Sequence, residues 1–318
     1  MVLQPFEDFS DVEDLAAGLA DNDPAVRRVA VMELADTAAP EAIEYIGSAL
    51  RDESAEVRLQ AAIALGEFDG PEAAAALGLG LQDGDQRVAQ AAADSLAELK
   101  DPQAATQILP LTRHDSAFVR AGALRGLKEL RSPNALTCGL KALGDPEPGV
   151  RVQAIGVVGY LKPDEALPAL IGCCRDISAE VRRTAVGALA FSASPHVADA
   201  LVGALRDEDW AVRETAAEVL GRSGFRKAAD PLMALLDDSY WQVRLKAVRS
   251  LGQLKAVKAV HVIAAALDHQ IGNLRKEAAA ALGEIADSAA LVYLEKLVDD
   301  PDPEVRKNVR WALSRIAG

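Results

Sequence analysis

Along this chain a valine is followed four positions later by a small apolar residue, and four positions after that by a leucine. Val57, Ala61 and Leu65 set the pattern; Val88, Ala92, Leu96 and Val119, Ala123, Leu127 repeat it at a step of 31 residues. Offsets of 0, 4 and 8 place three apolar side chains on one face of a helix. A polar residue, suited to an N-cap, stands three positions before the valine, as at Asp23, Ser54, Asp85, Ser116, Glu147, Ser178, Asp209 and Asp302. Pro24, Pro148 and Pro303 follow at the first helical position, where the missing N–H costs nothing. Upstream lies a second apolar pattern, Ala42, Ile43, Ile46, Ala49 and Leu50, which recurs as Ala166, Leu167, Leu170, Cys173 and Cys174. Each period therefore predicts two helices, A and then B, and neither can bury its apolar stripe alone. Gly66, Gly159, Gly221, Gly252 and Gly283 follow the leucine, where neighbouring helices are expected to approach closely. The prediction is an all-α solenoid, a superhelix of ten stacked two-helix repeats forming one continuous domain over residues 1–318.

A second set of rows is polar. An arginine follows the valine at Arg27, Arg58, Arg120, Arg151, Arg182, Arg213, Arg244, Arg275 and Arg306, and an aspartate precedes the valine by five in most repeats. This D-x5-R pattern resembles the HEAT-repeat family, in the short form found in phycobilin lyases and their relatives. The resemblance implies a hydrogen-bonded ladder of Asp and Arg between stacked repeats. The departures are His114 and His269 in the aspartate row and Ala89 in the arginine row. Asp83 thus lacks an arginine in its own repeat and Arg120 lacks an aspartate, so a bridge between Asp83 and Arg120 is expected.

Charge adds a gradient. Residues 1–100 hold 21 Asp/Glu against 6 Lys/Arg, whereas residues 101–318 hold 27 against 28. The acidic third argues against nucleic acid, which needs a basic face, and with it against a HEAT-like DNA glycosylase. Aromatic residues make up only 4% of the chain, as suits helices packed through alanine. The first residues, Met1 to Asp8, lack the basic start and apolar run of a signal peptide. No uncharged apolar stretch is long enough to cross a membrane, so a soluble, cytoplasmic protein is expected.

Candidate chemistry is sparse. His114, His196, His261 and His269 are too far apart along the repeats to share a metal, and the His-Glu dipeptide of HEAT-type iron hydroxylases is missing. No metal, cofactor or catalytic residue is expected. Cys173 and Cys174 read as core, while Cys138 falls in a mixed row.

Binding is sought instead on the B helices, which line the concave face in solenoids of this resemblance. One row stacks Asp36, Glu67, Glu98 and Glu129 on consecutive repeats, near helix C-termini where the dipole favours cations. Local stability does not call for these acids, which read either as a site for a basic segment of a partner or as a solvated face kept soluble by its charge. A central stripe of Gly122, Val152, Gly156, Tyr160, Gly187 and Phe191, flanked by Arg125 and Arg183, reads either as a groove floor or as close helix packing. Trp210 and Trp241 share a row at the A–B turns, and Tyr240 occupies a capping position; these aromatics mark either an exposed contact or a fold-over onto the next layer. Trp311 reads as part of the last repeat's cap. The expected function is a non-catalytic scaffold that binds a partner protein or peptide. The alternative is a subunit of a lyase-like complex that handles a bilin or another cofactor.

Overall fold

The three apolar offsets face the interior. Val57, Ala61 and Leu65 are fully buried, and the same offsets are buried from Val88 through Val309. Each leucine so buried contributes about 2 kcal/mol of transfer free energy. The exception at the start is Val26, 42% exposed, whose repeat has only the short A helix Val12–Ala16 beside it.

The computed structural model describes residues 12–317. Among the described residues there are twenty α-helices and no strand. Two units divide the chain, one ending at Leu161 and the other beginning at Lys162. In the first, A helices Val12–Ala16, Ala42–Ala49, Pro71–Gly80, Ala105–Ile108 and Pro133–Ala142 alternate with B helices Pro24–Asp36, Ala55–Ala64, Gln86–Leu96, Ala117–Glu129 and Pro148–Leu161. In the second, A helices Leu167–Cys173, Pro195–Ala204, Ala229–Ala234, Val260–Ala265 and Leu291–Leu294 alternate with B helices Ala179–Ala188, Trp210–Ser223, Trp241–Gln253, Gly272–Ile285 and Pro303–Ala317. Within each unit successive B helices pack on one another, and each A helix covers its own B helix, as in an α-solenoid. The reading of Met1 to Asp8 as lacking a signal peptide lies outside the described residues. Among those that are described, no helix is long and apolar enough to cross a membrane.

Glycine after the leucine does permit close approach. A Cβ on Gly252 would stand 2.7 Å from the Cα of Ala281, and one on Gly283 would stand 2.9 Å from the Cα of Ala312. Where serine faces the glycine row it is hydrogen-bonded across the repeats: Ser95 Oγ donates to the Ala62 carbonyl at 2.9 Å and Ser250 Oγ to that of Ala217 at 2.7 Å.

The polar ladder is present, but its rungs step differently from the expectation. Arg27 donates to Asp52, Arg58 to Asp83, Arg120 to Asp145, Arg182 to Asp207, Arg213 to Asp238 and Arg275 to Asp300. In each, Nε and Nη2 grip the carboxylate of the following repeat, while Nη1 donates to backbone carbonyls of the arginine's own A–B turn. Arg120, for example, reaches the His114 and Asp115 carbonyls at 2.9 and 2.8 Å. The predicted Asp83–Arg120 bridge therefore does not form, because both residues already belong to complete rungs. The residues left over are Ala89 and His114, which occupy the two ends of one rung. Arginine and aspartate are missing there together.

The ladder aspartate also organises its own turn, as when Asp52 accepts from the Ser54 N–H at 2.8 Å. Asp23, Asp85, Asp209 and Asp302 cap as predicted. Ser54, Ser116 and Ser178 make no side-chain cap.

Candidate functional site

A cleft of about 830 Å³ opens between Ala55–Ala64 and Gln86–Leu96, and Ile63, Glu67, Gln90, Asp94, Glu98 and Arg125 contribute to its walls. Ile63 gives it an exposed apolar wall. Three of the carboxylates around it are already matched: Arg87 meets Glu56 at 2.8 Å and Asp85 at 2.9 Å, and Arg125 meets Asp94 at 2.6 Å. The Arg87 side chain, with backbone N–H groups, holds the Asp85 carboxyl down at about 2. Glu67 and Glu98 have no ion pair among the described residues and stand exposed in the cleft wall.

The four-acid row is therefore split. Glu67 and Glu98 share this cleft. Asp36 is exposed outside it, and Glu129 is half-buried with Lys128 3.4 Å away. Asp94, which the row did not include, joins the cleft from the adjacent stripe of the same face.

The central stripe separates as well. Gly122 is buried, and a Cβ there would stand 2.7 Å from Leu81, so close packing explains it. Gly156 and Gly187 are not so confined: a Cβ would meet only the Lys128 side chain at 3.7 Å and that of Thr215 at 3.9 Å. Val152 is half-buried and Arg183 exposed. Tyr160 closes the first unit with its hydroxyl accepting from Arg131 Nη2 at 2.9 Å and with Arg131 and Lys128 over its ring. Phe191 lies half-buried in the second unit, at the end of the 3-10 turn Leu189–Phe191.

At the A–B turns of the second unit, Trp210 stacks on Tyr240 of the next repeat, with centroids 5.4 Å apart and planes at 15°. Tyr240 is 45% exposed, carries Arg213 on its ring and makes no cap hydrogen bond. Trp241 is exposed beside it, on a separate small cleft with Leu245 and Arg249. Trp210 folds over the neighbouring layer, and the other two remain on the surface. Ile177, 94% exposed at an A–B turn one row before Tyr240, escaped the sequence reading. Its signal was available, since that row otherwise holds Asn22, Glu53, Gly84, Asp115, Pro146, Glu208, Ser239, Gln270 and Pro301. Trp311 packs against Gly283 while remaining exposed on its other side.

Titratable groups elsewhere do not assemble. Among the described residues no cluster of His, Cys, Asp and Glu has metal-binding geometry. Burial, with help from Cys173, pushes the Cys174 thiol up to about 12, so it stays protonated at neutral pH. His261 Nδ1 lies 3.0 Å from the Tyr293 hydroxyl. His114 and His269 accept from the Ser116 and Ile271 N–H groups through Nδ1, taking over the turn role of the ladder aspartate.

Comparison with known proteins follows the same geometry. A family model described as HEAT repeats matches residues 12–79, 78–138, 140–221, 198–271 and 261–318. No curated protein matches the sequence. Among solved structures, an engineered protein is similar with a TM-score of 0.52 and 23% identity over 96% of this chain and 99% of its own. Kap95 in complex with Nup1 gives a TM-score of 0.64 at 14% identity over 96% of this chain and 50% of its own. Importin beta gives 0.60 at 14% identity over 96% and 51%. The chain thus spans about half the length of the Kap95 and importin beta chains, and at these identities the likeness is one of fold.

Proposed function

The chain belongs to the HEAT-repeat family, and from that premise we propose that it is a non-catalytic scaffold whose B-helix cleft takes a basic segment of a partner protein. The observation that carries this is the pair Glu67 and Glu98. Both are exposed on one cleft wall and unmatched, in a neighbourhood where Glu56, Asp85 and Asp94 each have an arginine. Unpaired like charges side by side repel, and a cation from outside relieves that repulsion. Ile63 adds apolar contact area beside them. Solved relatives of the fold support a binding role, since Kap95 is seen bound to Nup1. The cofactor-handling alternative rests on the family resemblance and on the groove of Gly156, Tyr160, Gly187 and Phe191, and within that groove the Tyr160 ring is engaged by Arg131 and Lys128.

Affinity capture on the purified chain, compared with a Glu67→Lys/Glu98→Lys variant, tests this reading. Captured proteins should be lost from the variant and should elute at moderate salt. Equal recovery on both would refute the cleft.

A further inference from the structure

Sequence reasoning placed the candidate binding surfaces on the B helices and at the A–B turns, and none on the A helices. The A helices of the first unit nevertheless frame a wider groove, of about 1220 Å³, between Val12–Ala16, Ala42–Ala49 and Pro71–Gly80. Its floor is apolar: Val12, Ile43, Tyr45, Ala75, Ala76 and Leu79. Leu79 is 44% exposed although it sits mid-surface on a helix that carries only one charge. The sequence of that helix, PEAAAALGLG, is apolar on more than the face its own B helix needs. Close approach of the two longer A helices keeps the floor shallow, since a Cβ on Gly47 would meet Ala76 at 3.2 Å.

The rim is predominantly anionic. Glu13, Glu41, Glu44 and Glu72 surround the floor, all exposed, with Arg51 as the single cation. None of the four glutamates has an ion pair among the described residues, unlike Glu56, Glu218 and Glu277 on the B helices, which are matched by Arg87, Lys246 and Arg249. An anionic rim repels nucleic acid and acidic lipid headgroups. The groove is wider and more open than a small-molecule pocket. Its complement is a helix with leucines on one face and lysines or arginines flanking them, laid in by i, i+3, i+4, i+7 anchors. We infer that this groove is a second docking surface, for a basic amphipathic helix of a protein partner. It shares no residue with the Glu67–Glu98 cleft and stands or falls separately.

The probe is a fluorescein-labelled 18-residue Lys/Leu peptide with helical spacing. A scrambled peptide of the same composition and a Glu/Leu peptide of the same spacing serve as controls, with binding followed by anisotropy. The helical basic peptide should bind at least tenfold more tightly than either control. Glu41→Lys/Glu44→Lys and, separately, Leu79→Ser should each weaken it at least tenfold. Circular dichroism should show both variants folded. Glu67→Lys/Glu98→Lys should weaken the binding less than either A-face variant does. Equal binding of the scrambled peptide would mean charge alone and would overturn the proposal. So would insensitivity to both A-face variants, or loss of binding only in the B-face variant. A concentration-dependent dimer in sedimentation that Leu79→Ser abolishes would give the groove to a second copy and would equally overturn it.

Discussion

Each rung of the ladder is a guanidinium held at both ends of its reach, by the next repeat's carboxylate and by its own turn's carbonyls. Asp238 shows the arrangement, accepting from Arg213 Nε at 2.7 Å and Nη2 at 3.0 Å and from the Tyr240 N–H at 2.9 Å. Replacing it with alanine leaves a half-buried cation and a turn N–H unmatched, and Asp238→Ala should cost about 3 kcal/mol in urea denaturation. The rung between Arg244 and His269 is already incomplete. With Nδ1 accepting from Ile271, the neutral ring carries its proton on Nε2, a donor aimed at the Arg244 Nη2 donor 3.3 Å away. Arg244 Nε is buried and has no partner. His269→Asp should therefore raise stability by about 1.5 kcal/mol, read in the same denaturation curves. The vacant rung offers a stricter check. Ala89→Arg alone places an unmatched guanidinium beside His114, whereas Ala89→Arg with His114→Asp completes a rung. A double-mutant cycle should return a favourable coupling of about 1–3 kcal/mol. The two rows were legible in the sequence, because they recur at fixed offsets. Their pairing was not, because D-x5-R suggests a contact inside one repeat, while the arginine side chain reaches forward 25 residues to the next turn. Ala89 and His114 then make sense together, which neither does within its own repeat.

At the scale of the element, the B helices end by a shared device. Ala38, Arg131, Lys162, Lys255 and Ala286 take the left-handed conformation at positive φ, as does Gly224. All stand twelve positions after the repeat's valine, or after Leu274 for Ala286, yet only Gly224 fills the position with glycine. Ala286, with φ 57°, accepts this conformation as the cap after Gly272–Ile285, and its N–H donates to the Leu282 carbonyl at 3.0 Å. Ala286→Gly should stabilise the chain by a few tenths to about 1 kcal/mol, seen as a higher melting temperature. The neighbouring glycine row behaves oppositely. Gly252→Val should destabilise strongly, since no side chain fits against the Ala281 backbone. Helix pairs, caps at the aspartates and close approach at glycine were all readable from offsets. The A-helix groove was not, because a search confined to the face that solenoids usually present to ligands passes over an apolar surplus on the other face, as in Pro71–Gly80.

For the whole molecule, charge decides most. The carboxyls of the six arginine-gripped rungs sit below their ordinary range. For Asp52, Asp145 and Asp300 the arginine hydrogen bond dominates; for Asp83, Asp207 and Asp238 burial pushes upward, and the arginine with the turn N–H more than reverses it. A carboxyl lowered in the folded state contributes stability that is present above its unfolded value of about 4 and is lost as pH falls through the folded value. The melting temperature should therefore drop below about pH 4. Above that it should vary little or rise slightly towards pH 5, as the net charge of −14 is relieved. The expectation of one continuous domain rests on the unbroken 31-residue period. The surfaces rest on the two unmatched sets of glutamates in the first unit. The most direct measurement is amide hydrogen exchange of the chain with and without a captured partner. Protection should appear in Ala55–Ala64 and Gln86–Leu96, the walls of the Glu67–Glu98 cleft, and should disappear in Glu67→Lys/Glu98→Lys. Unchanged exchange in those two helices, with protection confined to the Trp210–Trp241 turns, would contradict the account.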